Sequence, residues 1–314
     1  MKLRDLITQF VAFRKTLGER CAHESILRSF SRKLGEKTDI RAIPAKSVRS
    51  FLDGTGPLTR YWHLKHRALL SFFRYALSRG HVRSIPLPSV VPKQPPGLKP
   101  YIYSREELRR LLKGTAACLP SSCMIEPRTL HMIVLLLYGA GLRASEALAL
   151  NLADVDLTRA VVTVRLSKFF KSRLVPLGVC LTRALTAYCK WRRSAHPPAG
   201  NDSPFFVGRT GQRVFRGTLL PTFRRLRSHT GIRRTDKARY QPRLHDLRHS
   251  FAVHRLITWY RQGADVQKLL PHLSTYMGHT SLYGTQVYLS MTPELLTEAN
   301  SRFERYAGEE GDHA

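Results

Sequence analysis

The chain has 314 residues, 43% hydrophobic and 24% charged, the balance of a folded protein with length enough for two cores. Its 52 lysines and arginines outweigh 22 aspartates and glutamates by a formal +30, a field too strong for a merely solvated surface and suited to a polyanion, nucleic acid first. No apolar run reaches the roughly 18 residues of a membrane span, and Met1-Lys2-Leu3-Arg4-Asp5 lacks the basic-then-apolar order of a signal peptide. Cys21, Cys118, Cys123, Cys180 and Cys189 are odd in number and not at zinc-ligand spacing. These features predict a cytoplasmic protein with no disulfide framework, no metal and no membrane association.

Helical periodicity dominates the start. Leu3, Leu6, Ile7, Phe10, Val11 and Phe13 form one stripe, and Ile26, Leu27, Phe30 and Leu34 a second. A third helix is expected after Pro44. A fourth, around Leu58 to Leu77, is expected to turn Trp62, Leu69, Leu70, Phe73 and Leu77 inward and to leave Arg60, Lys65, Arg67, Arg74 and Arg79 outside. Six prolines and one glycine between Ile85 and Pro100 cannot continue a helix and read as an extended linker. The expected domains are therefore 1–98, a helical bundle, and 99–314. The first carries 19 basic and 6 acidic residues and the second 33 and 16, so both are expected to touch a phosphate backbone.

Ser104 and Glu107, ahead of Leu108, Leu111 and Leu112, have capping-box spacing and open a helix. The apolar run Met132 to Tyr138 reads as a buried helix ending in Gly139-Ala140-Gly141. Val162, Val164 and Leu166 alternate with Val161, Thr163 and Arg165 as in a strand; Arg173 to Leu177 and Pro204 to Val207 are further extended pieces. A basic helix holds Phe223, Arg224, Arg225, Leu226 and Arg227, and the chain from Leu244 reads as helices. The expected fold class is mainly α with a small β-sheet.

Four fragments of the second domain carry residue types able to do chemistry: Gly141-Leu142-Arg143-Ala144-Ser145-Glu146, Ser167-Lys168-Phe169-Phe170-Lys171-Ser172-Arg173, His245-Asp246-Leu247-Arg248-His249, and Gly278-His279 with Tyr288 nine residues later. His245 and Arg248, three apart, share a helix face and suit one anionic group. Alone, such a pair is commonly a surface helix turn. In this order and company, the fragments resemble the Arg, Lys, His-x-x-Arg, His and Tyr boxes of phage integrases and the Xer recombinases. The match covers most of the second domain, and the helical first domain and linker look like that family's core-binding domain and interdomain strap.

The resemblance implies a tyrosine recombinase whose catalytic residues are Arg143, Lys168, His245, Arg248, His279 and Tyr288. It implies no cofactor or metal, double-stranded DNA as partner, a homo-tetramer assembled on DNA, and room for partner recombinases. The chemistry suits the residue types. Arg143 and Arg248 can neutralise the non-bridging oxygens of a phosphodiester without a metal. A tyrosine of pKa about 10 needs cations and a proton acceptor, for which His245 is the expected candidate. Lys168 would protonate the leaving 5′ oxygen, His279 would hydrogen-bond the phosphate, and the bond energy would be kept as a 3′-phosphotyrosine.

Glu146 is expected to orient an arginine, Asp246 to support the helix start, Tyr276 and Tyr283 to pack, and His272 to be structural. Phe169 and Phe170 depart from the small turn residues of many relatives, which leaves Lys171 as an alternative acid. Gln267 to His272 looks like extra material that resembles integrases of mobile elements. After Tyr288, Thr292-Pro293-Glu294 is expected to start a helix with Leu295, Leu296, Ala299, Phe303 and Tyr306 on one stripe. The family docks this helix on a neighbouring protomer; packing on its own domain is the alternative. Two other functions stay open: a type IB topoisomerase-like relaxing enzyme, and a DNA-binding accessory protein without turnover. DNA target and direction, integration against excision or resolution, are not encoded in any motif.

Overall fold

In the computed structural model the described residues are 1–17, 23–95, 99–165, 172–236, 238, 240–279, 281–291 and 295–301. They are mainly helical with one small sheet, as the sequence predicts. The chain divides into two compact units, Met1–Gly97 and Leu98–Ala314.

In the first unit, α1 (Leu3–Thr16) buries Leu3, Leu6, Ile7, Phe10 and Val11, and α2 (Glu24–Leu34) buries Ile26, Leu27 and Phe30. Pro44 caps α3 (Ala45–Asp53) with its backbone extended. The long α4 (Arg60–Ser78) closes the bundle. Phe10 meets Phe72 edge-on at 5.8 Å and Phe30 meets Phe73 at 6.2 Å, the ring geometry that adds to simple burial.

Two expectations for α4 fail. Leu77 is exposed and Leu70 only half-buried, while Ala68, Phe72 and Ala76 take the inward places, because the buried stripe follows the 3.6-residue period from Trp62. Lys65 is buried, not outward: its Nζ donates to the Phe51 carbonyl at 2.5 Å. Phe51 lies in the last turn of α3, where carbonyls lack intrahelical donors, so the lysine completes that helix end.

In the second unit, Ser104 and Glu107 form the expected capping box at the head of α5 (Arg105–Gly114). The next helix, α6 (Pro127–Gly139), is buried nearly all round and packs on α8 (Val179–Ala195) and α10 (Asp246–Arg261). Between α6 and α8 come the short α7 (Ala144–Ala149) and an antiparallel sheet of β1 (Val155–Asp156), β2 (Val161–Val164) and β3 (Arg173–Pro176) in that order. Val162 pairs with Val175 and Val164 with Arg173, which puts the valines in the core and Arg173 at the end of the hairpin where β2 connects to β3. Leu166 lies outside the described residues. Pro204 to Val207 is not the extended piece expected: it bends at Phe205 and Phe206 between two isolated bridges, Asn151 to Pro204 and Val207 to Arg213, and joins no sheet.

Helix α9 (Arg216–His229) is the expected basic helix, and α11 (Val266–Met277) and α12 (Tyr283–Gln286) follow α10. A 3-10 turn over Val287–Ser290 carries Tyr288. Residues 295–301 are helical; Leu295 is buried in the cluster formed by α10 and α11, whereas Leu296 is exposed. Thr292, Pro293, Glu294, Phe303 and Tyr306 lie outside the described residues. Among the described residues no helix is long and apolar enough to cross a membrane.

Candidate active site

The first turn of α10 is fixed from below. Asp246 is wholly buried and accepts from the Arg243 backbone N and Arg243 Nη2, each at 2.7 Å. Its charge is thus committed to support, as expected. One helix turn then places His245, Arg248 and His249 side by side.

Three arginines meet the end of α11. Tyr276, Met277 and Gly278 have the orphan carbonyls of a helix C-terminus, and Gly278 stops the helix in the left-handed region at φ +65°. Arg173 Nε donates to Tyr276 O at 2.9 Å, Arg248 Nη2 to Met277 O at 2.5 Å and Arg143 Nη2 to Gly278 O at 2.9 Å. Arg248 Nη1 donates to Gly141 O at 2.5 Å. Gly141 has φ +59°, and a Cβ there would lie 2.4 Å from Phe251, so only glycine turns the chain from α6 into α7 at this spot.

Glu146 ties two of these arginines together. It accepts from Arg143 Nη1 at 2.6 Å and from the Arg143 backbone N at 3.0 Å, and from Arg173 Nη1 at 3.1 Å and Nη2 at 2.8 Å. Burial pushes its carboxyl up, but the two guanidiniums win and hold it down at about 2. Arg248 is 2% exposed. Burial first, then the Arg143 charge, lowers its pKa to about 10, which still leaves it charged at neutral pH.

Tyr288, 3% exposed, sits against this cluster. Its hydroxyl lies 3.1 Å from His249 Nδ1. Burial raises the pKa of the hydroxyl, against the pull of Arg248 and Arg143. The His279 ring stacks at 6.0 Å from the Tyr288 ring, and its Nδ1 is 2.7 Å from Thr285 Oγ1. His245 meets His249 edge-on at 4.7 Å. Burial, and then neighbouring charge, lowers all three histidines to about 4, so they are neutral imidazoles at pH 7.

Five of the six candidate residues, Arg143, His245, Arg248, His279 and Tyr288, are thus brought into one place. Lys168 and its alternative Lys171 lie outside the described residues. The group on the Tyr288 hydroxyl is His249, not the expected His245. Helical spacing could have found it, since His249 follows His245 by four residues on the face that carries Arg248. Arg173 was equally unassigned; its position at the hairpin end was the available signal. Tyr276 packs on Phe251 and donates to Pro176 O at 3.1 Å. Tyr283 does not pack: it is 74% exposed. His272 is exposed too, on the rim of an apolar cleft of about 520 Å³ lined by Phe251, Trp259 and Leu273.

Residues 104–294 match the profile of the phage integrase family. The chain belongs to that family. It is 39% identical to a putative integrase/recombinase, y4rB, of Sinorhizobium fredii over 78% of each chain. With a second one of that organism, y4rE, it shares 32% over 96% of this chain and 95% of the relative. Tyrosine recombinase XerA of Thermococcus kodakarensis is 31% identical over 84% of this chain and 82% of its own.

Among solved structures, the Tn1549 transposon integrase in complex with transposon right end DNA superposes with a TM-score of 0.69 at 18% identity, over 98% of this chain and 100% of the other. A lambda integrase dimer bound to a COC′ core site gives 0.64 at 16% identity over 93% and 78%. Fold likeness therefore spans both units. The protein is a site-specific recombinase of the tyrosine type, an enzyme of DNA strand breakage and rejoining.

Proposed function

We propose that the recombinase exchanges strands between two DNA duplexes, as a tetramer assembled on its sites, with Tyr288 as the nucleophile. The observation that supports this best is a buried tyrosine hydroxyl set beside Arg248 and Arg143 in a site whose histidines are neutral. Each guanidinium spends only part of its fork on carbonyls and Glu146, which leaves N–H donors for the non-bridging oxygens of a phosphate. Because the carbonyl anchors fix both forks beforehand, little reorganisation is needed as charge grows on those oxygens.

In this reading Tyr288 Oη attacks phosphorus and the bond to the 5′ oxygen breaks. Lys168 gives that oxygen its proton, and His245 and His279 hydrogen-bond the phosphate. The 3′-phosphotyrosine keeps the energy of the broken bond, so a 5′ hydroxyl from a second strand can reverse the step. The first unit, with its exposed arginines on α4, holds the duplex as the core-binding domain. Encoding by a mobile element fits the likeness in fold to a transposon integrase.

Incubation with nicked target DNA should trap a covalent complex, insensitive to chelation of divalent cations. Tyr288→Phe should abolish it while leaving DNA binding intact. An adduct that persists in that variant, or maps to Tyr276 or Tyr283, overturns the assignment. Resolution of Holliday junctions separates strand exchange from simple relaxation of supercoils.

A further inference from the structure

The proton of Tyr288 must leave as its oxygen attacks, and the side chains around the hydroxyl are not equivalent. Arg248 can only donate. The His279 Nδ1 faces Thr285, and its ring stacks on the tyrosine instead of meeting the hydroxyl. His245 meets the His249 ring edge-on at 4.7 Å, and it is His249 whose ring lies 5.6 Å from that of the tyrosine and whose Nδ1 reaches the hydroxyl. We propose that His249, which no family box singles out, is the general base for Tyr288; this rests on the reading of Tyr288 as the nucleophile.

The case begins with distance. Nδ1 of His249 is 3.1 Å from Tyr288 Oη, within the reach a general base needs before any substrate arrives. It begins also with rigidity, since α10 fixes the backbone of His249 in the turn that carries Arg248. Nδ1 accepts from the hydroxyl in the tautomer whose proton sits on Nε2. Burial first, then the neighbouring His245 ring and the Arg243 and Arg248 guanidiniums, keeps the ring neutral against the opposing pull of Asp246, so an acceptor lone pair is available at neutral pH. Burial likewise keeps the tyrosine protonated at rest. The nucleophile is therefore held inactive until a phosphate occupies the arginine forks and offsets their charge, which makes an imidazolium beside Arg248 less costly.

The step balances. The Oη–H bond breaks and its proton passes to His249 Nδ1. The freed electron pair on Oη forms the bond to phosphorus, and the pair of the broken P–O bond stays on the 5′ oxygen, which is protonated by the separate acid. On rejoining, the imidazolium returns the proton to the departing tyrosine oxygen.

Single-turnover cleavage of nicked DNA by the full chain tests this. His249→Asn keeps an amide near the position of Nδ1, able to hydrogen-bond the hydroxyl but not to take its proton. It should bind DNA as wild type does and cleave about 10²-fold or more slowly. Sulfur in place of the bridging 5′ oxygen should not restore it, because the defect lies on the nucleophile side. His249→Gly should be slow and regain rate with added imidazole. Wild-type cleavage by His249→Asn overturns the inference, and so does rescue by sulfur or a glycine variant that imidazole leaves unchanged. Should the glycine variant not fold, the asparagine variant decides alone. Tyr288→Phe run in parallel separates the two readings. An adduct there sinks the nucleophile itself, whereas no adduct there together with normal cleavage by His249→Asn sinks only the base.

Discussion

Arg60, Arg67 and Arg74 along α4 of the first unit, and Arg79 just past its end, stand exposed, whereas Arg248 of the second is almost wholly buried and has both Nη atoms bonded to backbone carbonyls. The same side chain is used under opposite physical conditions. In water, a guanidinium stays hydrated, costs little to hold charged, and acts through a field that salt screens. In the interior, its desolvation is offset only by well-placed acceptors, and the reward is a cation whose position is set before substrate arrives. Removal of a buried arginine should therefore hurt both chemistry and stability, and removal of an exposed one should hurt only binding.

Arg248→Ala is expected to have the largest effect. Loss of one preorganised charge stabiliser typically costs about 10²–10³ in rate. It also leaves the carbonyls of Gly141 and Met277 without their donor, at about 1–3 kcal/mol for each buried group. Arg248→Lys should recover little of either, since an ammonium cannot span both carbonyls as a fork does. Cleavage rate and denaturant melts measured on the same samples check both halves. A variant that loses rate but melts normally would mean the carbonyls find water.

Glu146→Gln should come next, and its effect should depend on pH. The folded-state pKa is depressed to about 2 from an unfolded value near 4.3, so the stabilisation is full above the unfolded value and is lost as pH falls through the folded one. A depression of that size corresponds to about 3 kcal/mol for this buried carboxylate. Glu146→Gln should be less stable than wild type at pH 7, with the gap closing between about pH 4 and pH 2. A gap that does not change with pH would show that volume or hydrogen-bond geometry, not charge, ties Arg143 to Arg173.

A smaller loss is expected for Gly278→Ala. The left-handed backbone costs a side chain about 1 kcal/mol, and the new Cβ would lie 2.7 Å from Arg173 Nη1. That guanidinium cannot simply swing aside, being held by Glu146 at one end and Tyr276 O at the other. A melt lowered by more than backbone strain alone, with slower cleavage as Gly278 O leaves Arg143, is the expected result. Normal cleavage would show that Arg143 is held by Glu146 alone.

These contrasts also mark what the sequence made legible. Local patterns read true where one physical rule decides: the α1 and α2 stripes, the Ser104 capping box and the valine alternation of β2 all lie within a few residues of their cause. Lys65 and Leu77 were misplaced because a charged or apolar type was taken as a side of the helix, when a helix end at Phe51 and a small Ala76 decided the matter from elsewhere in the fold. Composition and order suggested which side chains would gather around Tyr288. Which of them would touch was not legible, since Arg143, Arg173 and Arg248 meet on carbonyls of residues 276–278, and backbone acceptors carry no signature in sequence. His249 escaped for a related reason. The boxes name residue types, while its role depends on a distance to a turn nearly forty residues away.

The exposed side of the comparison gives the smallest effect and the sharpest control. Arg67 and Arg74 belong to the outward face of α4, so replacing both by alanine removes charge without opening the core. Stability should be within experimental error of wild type, and so should the cleavage rate at saturating DNA, because neither residue belongs to the unit that carries Tyr288. Binding should weaken modestly. The diagnostic is its dependence on salt: for each phosphate that the variant no longer neutralises, the slope of log K against log salt should flatten by about 0.9 for duplex DNA. A slope flattened by the equivalent of one or two phosphates places α4 on the backbone. An unchanged slope with unchanged affinity means this face of the first unit is turned from DNA, and that its positive charge serves approach rather than contact. A loss of stability would break the comparison itself, since arginines on a solvated face should not support the fold.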